Sequence, residues 1–107
     1  MEKSLNDRRL ELHEELANVL GSRNVYFQPP ETVQMKYPAI VYELYRVYQH
    51  FADNYSYKKA HGYSVTIIDP DNGINWIDKM LDSFPYCALE RVYIADNLNH
   101  YSFILYY

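Results

Sequence analysis

The chain has 107 residues, 49% hydrophobic and 22% charged, which suits one folded domain with one core and argues against disorder. Ten Lys and Arg against fourteen Asp and Glu leave a net charge of −4, and no basic block exceeds Arg8-Arg9 or Lys58-Lys59. The basic face of a nucleic-acid binder is therefore not expected. The single cysteine, Cys87, excludes an internal disulfide and fits a reducing compartment.

No leader segment and no bilayer-length apolar run is visible, so the expectation is a protein made in the cytoplasm and kept there until it joins something larger. Asn54-Tyr55-Ser56 matches a glycosylation acceptor, which means nothing without a secretory signal. Thirteen residues are Tyr, seven of them between Tyr37 and Tyr63. Tyrosine packs well on a pleated strand, and it also serves interfaces, where a rigid apolar ring ends in a polar tip.

In chain order, Leu5, Leu12, Leu16, Val19 and Leu20 share a helical face, with Asp7, Glu11, Glu14 and Glu15 away from its centre. Ser4 or Asn6 can cap this helix, and Gly21 can end it in a left-handed turn. Val25 to Phe27 reads as a short extended piece stopped by Pro29-Pro30. Ala39 to Tyr48 reads as a long strand, apolar on both faces. Residues 49–58 read as a polar and aromatic turn centred on Asp53-Asn54, and His61 to Ile68 as a second strand that completes a long hairpin.

Asp69-Pro70-Asp71-Asn72-Gly73 opens a second helix, with Asp71 or Asn72 as its cap. Ile74, Ile77, Leu81 and Phe84 share a face there, with Met80 at the margin and Trp76 pointing elsewhere. Pro85 closes the helix, and Leu89 to Ile94 and Leu98 to Tyr107 form a second hairpin around Ala95-Asp96-Asn97. These elements predict an α+β fold: a four-stranded, mainly antiparallel sheet in the order α-β-β-α-β-β, spanning residues 1–107, with both helices on one face.

Catalytic, cofactor and metal sites are all expected to be absent. The histidines, His13, His50, His61 and His100, lack metal-site spacing. The acids after Asp69 fail as a calcium loop because Gly73 comes one place early and Met80 stands where a bidentate Glu is required. Three scattered glycines make no phosphate loop, and no serine sits in a nucleophile elbow. Cys87 reads as a small core residue, and the acids around Glu14-Glu15 as a solvated helix face. Two features call for a partner instead. Trp76 falls off the apolar helix face, and Phe51, Tyr55 and Tyr57 crowd the tip and shoulders of a hairpin with little core to bury them.

The order of elements and the wording of several segments resemble the tail terminator (tail completion) proteins of tailed bacteriophages. Those segments are Val25-Tyr26-Phe27-Gln28-Pro29-Pro30, Met35 to Leu44 with Tyr37-Pro38 leading into an apolar strand, Tyr63 to Asp69, and Ala95 to Phe103. The resemblance covers essentially the whole chain. It implies a virion tail protein that forms a ring, usually of six, at the head-proximal end of the tail. Such a ring halts polymerisation of the tail-tube protein and presents a surface to the head connector, with no reaction involved. Its partners would be copies of itself, the tail-tube protein and the connector protein, and a net negative charge would let DNA slide past. The predicted protein interface is Tyr45, Tyr48, Phe51, Tyr55, Tyr57 and Trp76.

Three rival readings remain open on the residues alone. One is a neighbouring head–tail joining or head-closure protein. Another is a small-ligand α+β domain, which would need a deep cavity lined by His61, His100 and Asp69. The third is a nucleic-acid module stacking bases on its tyrosines, for which only Lys58-Lys59 beside Tyr57 supplies basic neighbours.

Overall fold

A computed structural model of the chain describes the backbone of residues 5–52 and 55–107 and the side chains of residues 6–45 and 61–107. Helix α1, Leu5–Leu20, buries Leu12, Leu16, Ala17, Val19 and Leu20, the apolar set at helical spacing. Gly21 ends it with φ of 79°, where a Cβ would be strained, and its N–H donates to the Ala17 carbonyl at 2.8 Å. Asn6 lies inside the helix rather than at its start, and Ser4 lies outside the described residues.

Five strands follow, with a second helix among them: β1 (Val25–Phe27), β2 (Ala39–Ala52), β3 (Tyr55–Asp69), α2 (Trp76–Ser83), β4 (Cys87–Ala95) and β5 (Leu98–Tyr106). They form one mixed sheet in the order β1-β2-β3-β5-β4. The expected four-stranded, mainly antiparallel sheet in the order α-β-β-α-β-β is thereby corrected. Val25, Tyr26 and Phe27 pair in parallel with Ile40, Val41 and Tyr42, adding a fifth strand and a parallel edge. Three residues are too few to show a period, and their partners lie beyond the Pro29-Pro30 connector, so only the closed fold reveals the pairing.

The β4–β5 hairpin turns through Asp96 and Asn97, both at positive φ (52° and 62°), as the two-residue turns that match strand twist require. Ile40, Tyr42, Tyr63, Val65, Ile67, Phe103 and Leu105 from one sheet face join the buried residues of both helices in a single core. Both helices thus cover the same face. Among the described residues the sheet's other face carries no helix, and it presents Val41, Glu43, Ser64 and Thr66 partly or fully to solvent.

Helix α2 departs from its sequence reading. Its cap is Asn75, whose Oδ1 accepts from the Asp78 N–H at 3.1 Å, so the helix starts later than a cap at Asp71 or Asn72 allows. The later start turns the buried face to Trp76, Met80 and Phe84, at i, i+4 and i+8, and leaves Ile74 and Leu81 exposed. Trp76 is 1% exposed, which corrects the expectation of an outward ring. Its Nε1–H donates to Asp69 Oδ2 at 2.8 Å, while Asp69 Oδ1 accepts from the Asp71 N–H at 2.9 Å. A buried carboxylate needs such donors, and the one the fold supplies draws the indole inward.

Strands β2 and β3 outrun the rest of the sheet. β1 ends opposite Tyr42, and just beyond it Gln28 Oε1 accepts from the Leu44 N–H at 3.2 Å, occupying the next edge position. On the other side β5 ends opposite Gly62. The Tyr107 N–H still reaches the His61 carbonyl at 3.0 Å, and from Tyr48↔Ala60 to Ala52↔Tyr55 the two strands pair only with each other among the described residues, so the expected turn over residues 49–58 is mostly strand. This two-stranded arm adds roughly 20 Å at ~3.4 Å per residue, in keeping with a longest dimension of 50 Å against 25 and 22 Å for the others.

Candidate interaction surface

The arm carries most of the residues predicted for an interface. Tyr45, at its base, is the extra residue of a β-bulge between Leu44 and Arg46, and it is 51% exposed. Tyr48 pairs with Ala60, Phe51 with Ser56 and Ala52 with Tyr55, and Tyr57 also lies within β3. The side chains of Tyr48, Phe51, Tyr55 and Tyr57 lie outside the described residues. Trp76 belongs to the core and stands apart from this group.

A second surface was missed in the sequence. β4 is the far edge of the sheet, with β5 as its one neighbouring strand. Leu89 pairs with Phe103, Val92 with Tyr101 and Ile94 with Asn99, which places the three side chains on the helix-covered face. The helices stop short of this margin, leaving Leu89 39%, Val92 50% and Ile94 72% exposed. A bulge between Leu89 and Arg91 breaks the alternation that would have marked the strand as one-sided, so the segment showed only as one strand of the second hairpin. An apolar edge strand of nine residues is a template for strand pairing.

Behind β4, on the open face, the Arg91 guanidinium lies 4.2 Å over the Tyr93 ring, and Tyr93 stacks on His100 at 4.7 Å. Ser102 Oγ donates to Glu90 at 2.8 Å. His100 and Asp69 belong to opposite sheet faces, since Asp69 pairs with Asn99 and Ile68 with His100. The ligand cavity that was to combine them with His61 is therefore not formed. On α1, Leu10, Glu11, Glu14 and Glu15 line a shallow open groove with Tyr107, whose phenol is pushed upward by burial and by its hydrogen bond to Glu15.

A part-buried polar cluster joins α1 to the sheet. Tyr42 Oη accepts from Arg9 Nη1 at 3.3 Å and shares a hydrogen bond with His13 Nδ1 at 2.7 Å, while Arg9 also lies 4.4 Å over the Phe27 ring. The neutral imidazole with its proton on Nε2 is the form in which Nδ1 can accept from the phenol. Burial first, and then the Arg23 and Arg9 charges, hold the His13 pKa below its ordinary value. The unfolded chain then takes the proton more readily, so the stabilisation is complete above the ordinary histidine pKa and is lost as pH falls below it. Urea midpoints should drop between about pH 7.5 and 5.5, and the drop should be smaller in His13→Gln. An equal drop in both proteins would remove His13 from the account.

Tyr63 is the opposite case. Its hydroxyl is buried with no hydrogen-bond partner among the described residues, and burial raises its pKa. Tyr63→Phe removes an unsatisfied group while keeping the ring against Tyr42, and should raise stability by about 1 kcal/mol in urea unfolding. A loss of stability would mean that the hydroxyl is satisfied in solution.

Cys87 is half-buried, and burial pushes its thiol up to about 11, unlike an activated nucleophile. Among the described residues no group of three His, Cys, Asp or Glu side chains could hold a metal ion, and no helix is long and apolar enough to cross a membrane. No protein-family model matches the chain, and no curated protein is similar to it.

Proposed function

We propose that this chain is a structural subunit of a bacteriophage tail, forming a ring at the head-proximal end that stops tail-tube polymerisation and offers a surface for head joining. The observation that carries the reading is the pair of unlike open surfaces: a two-stranded arm projecting from the sheet and an apolar edge strand on its far side. A two-stranded ribbon is marginal alone in water and gains from a partner. Two unlike surfaces on one subunit favour a heterologous contact, which closes into a ring when the rotation between copies divides a full turn. No reaction is part of this role, and its partners are copies of the chain, the tube protein and the connector.

The test is electron microscopy of particles assembled without this protein. Overlong or irregular free tails are the expected result. Normal tails beside unfilled or leaky heads would assign the chain to head closure instead.

A further inference from the structure

We propose that the β2–β3 arm of one copy docks as an added strand on the open β4 edge of the next copy. This inference rests on the ring reading and names the contact that would build the ring.

Three observations match the two surfaces. The first is hydrogen bonding: among the described residues, no further strand lies beside the arm beyond Arg46 on β2 or beyond His61 on β3, and none lies beside β4 on the side away from β5. Unpaired N–H and C=O groups on both are satisfied together when one strand lies beside the other. Their lengths are compatible, since the paired positions of the arm cover roughly 20 Å and nine residues of β4 roughly 30 Å.

The second is charge. Residues 45–61 hold Arg46, Lys58 and Lys59 against Asp53, a net of +2, so the other residues of this −4 chain carry −6. From α2 through β4 to the β4–β5 turn, Asp78, Asp82, Glu90 and Asp96 stand against Lys79 and Arg91, a net of −2. Both cations there lean on rings of their own subunit, Lys79 at 5.0 Å from Trp76 and Arg91 at 4.2 Å from Tyr93. A cationic arm is repelled by other arms and drawn to this rim, which favours a head-to-tail contact over arm-to-arm pairing.

The third is apolar area. Leu89, Val92 and Ile94 offer an uncovered strip, and the arm's composition is rich in aromatic residues: Tyr45, Tyr48, Phe51, Tyr55 and Tyr57. Aromatic rings on an aliphatic strip are the composition expected at the centre of an interface.

The test uses the full chain. Unaltered protein should self-associate in light scattering at high concentration and low salt, and added salt should weaken the association. Val92→Lys combined with Ile94→Lys places charge of the arm's sign on the exposed strip, and should abolish the oligomer while leaving the circular dichroism spectrum and melting unchanged. In a Cys87→Ser background, Ile94→Cys and Tyr57→Cys proteins should cross-link when mixed and hardly at all when separate. An oligomer that survives the double lysine variant overturns docking on β4 and leaves the ring reading standing. Ile94→Cys protein that cross-links to itself overturns it in favour of a symmetric edge-to-edge dimer. Unaltered chain that stays monomeric throughout overturns the contact and the ring reading together.

Discussion

Trp76→Ala should destabilise the fold by about 3–5 kcal/mol, a large share of the ~5–15 kcal/mol that holds a domain of this size together. The change removes the largest fully buried side chain, which packs in the core with Met80 and Phe84. It also deprives the buried Asp69 carboxylate of the donor at 2.8 Å, leaving the Asp71 N–H on its other oxygen. Trp76→Phe separates the two effects, because it keeps most of the apolar volume and loses only the hydrogen bond, at about 1–3 kcal/mol. Urea unfolding of the isolated chain measures both. A Trp76→Phe protein of unchanged stability that fails in assembly would return this residue to the interface.

Phe51→Ser combined with Tyr55→Ser should do the reverse, leaving the body folded and blocking assembly. Both positions lie where β2 and β3 pair only with each other, beyond the last residues of β1 and β5. Stability should therefore change by no more than about 0.5 kcal/mol, as for surface substitutions away from caps and cores. Assembly should fail outright, seen as overlong tails or as loss of the self-association described above. Unfolding of the double variant would show that these rings belong to the core, and the arm would cease to be an interface.

The two helices mark where inference from sequence held and where it slipped. The i, i+4 pattern of α1 placed Leu12, Leu16 and Leu20 on the buried face, because sixteen residues give the helical period time to show itself. α2 has eight residues, and a start shifted to Trp76 rotates the assigned face enough to exchange Ile74 and Leu81 for Trp76 and Met80. The hydrogen bond that decides the matter links residues seven apart across a loop, and no periodicity encodes it. Likewise the long hairpin was visible, but its extent was not. Polar and aromatic residues at 49–58 read as a turn because a strand with no sheet neighbour lacks the one-sided apolar pattern that identifies strands.

Composition and local pattern by themselves determined the α+β class, two helices, a long central hairpin rich in tyrosine, and a second hairpin turning at Asp96-Asn97. These depend on contacts between near neighbours, so a run of adjacent residues carries the information. Tertiary structure alone decided the parallel β1 strand, the inward turn of Trp76 onto Asp69, and the β4 margin left bare by the helices. Each depends on which distant residues meet once the chain closes, and on how far a helix reaches across a sheet. A one-dimensional pattern does not hold that information.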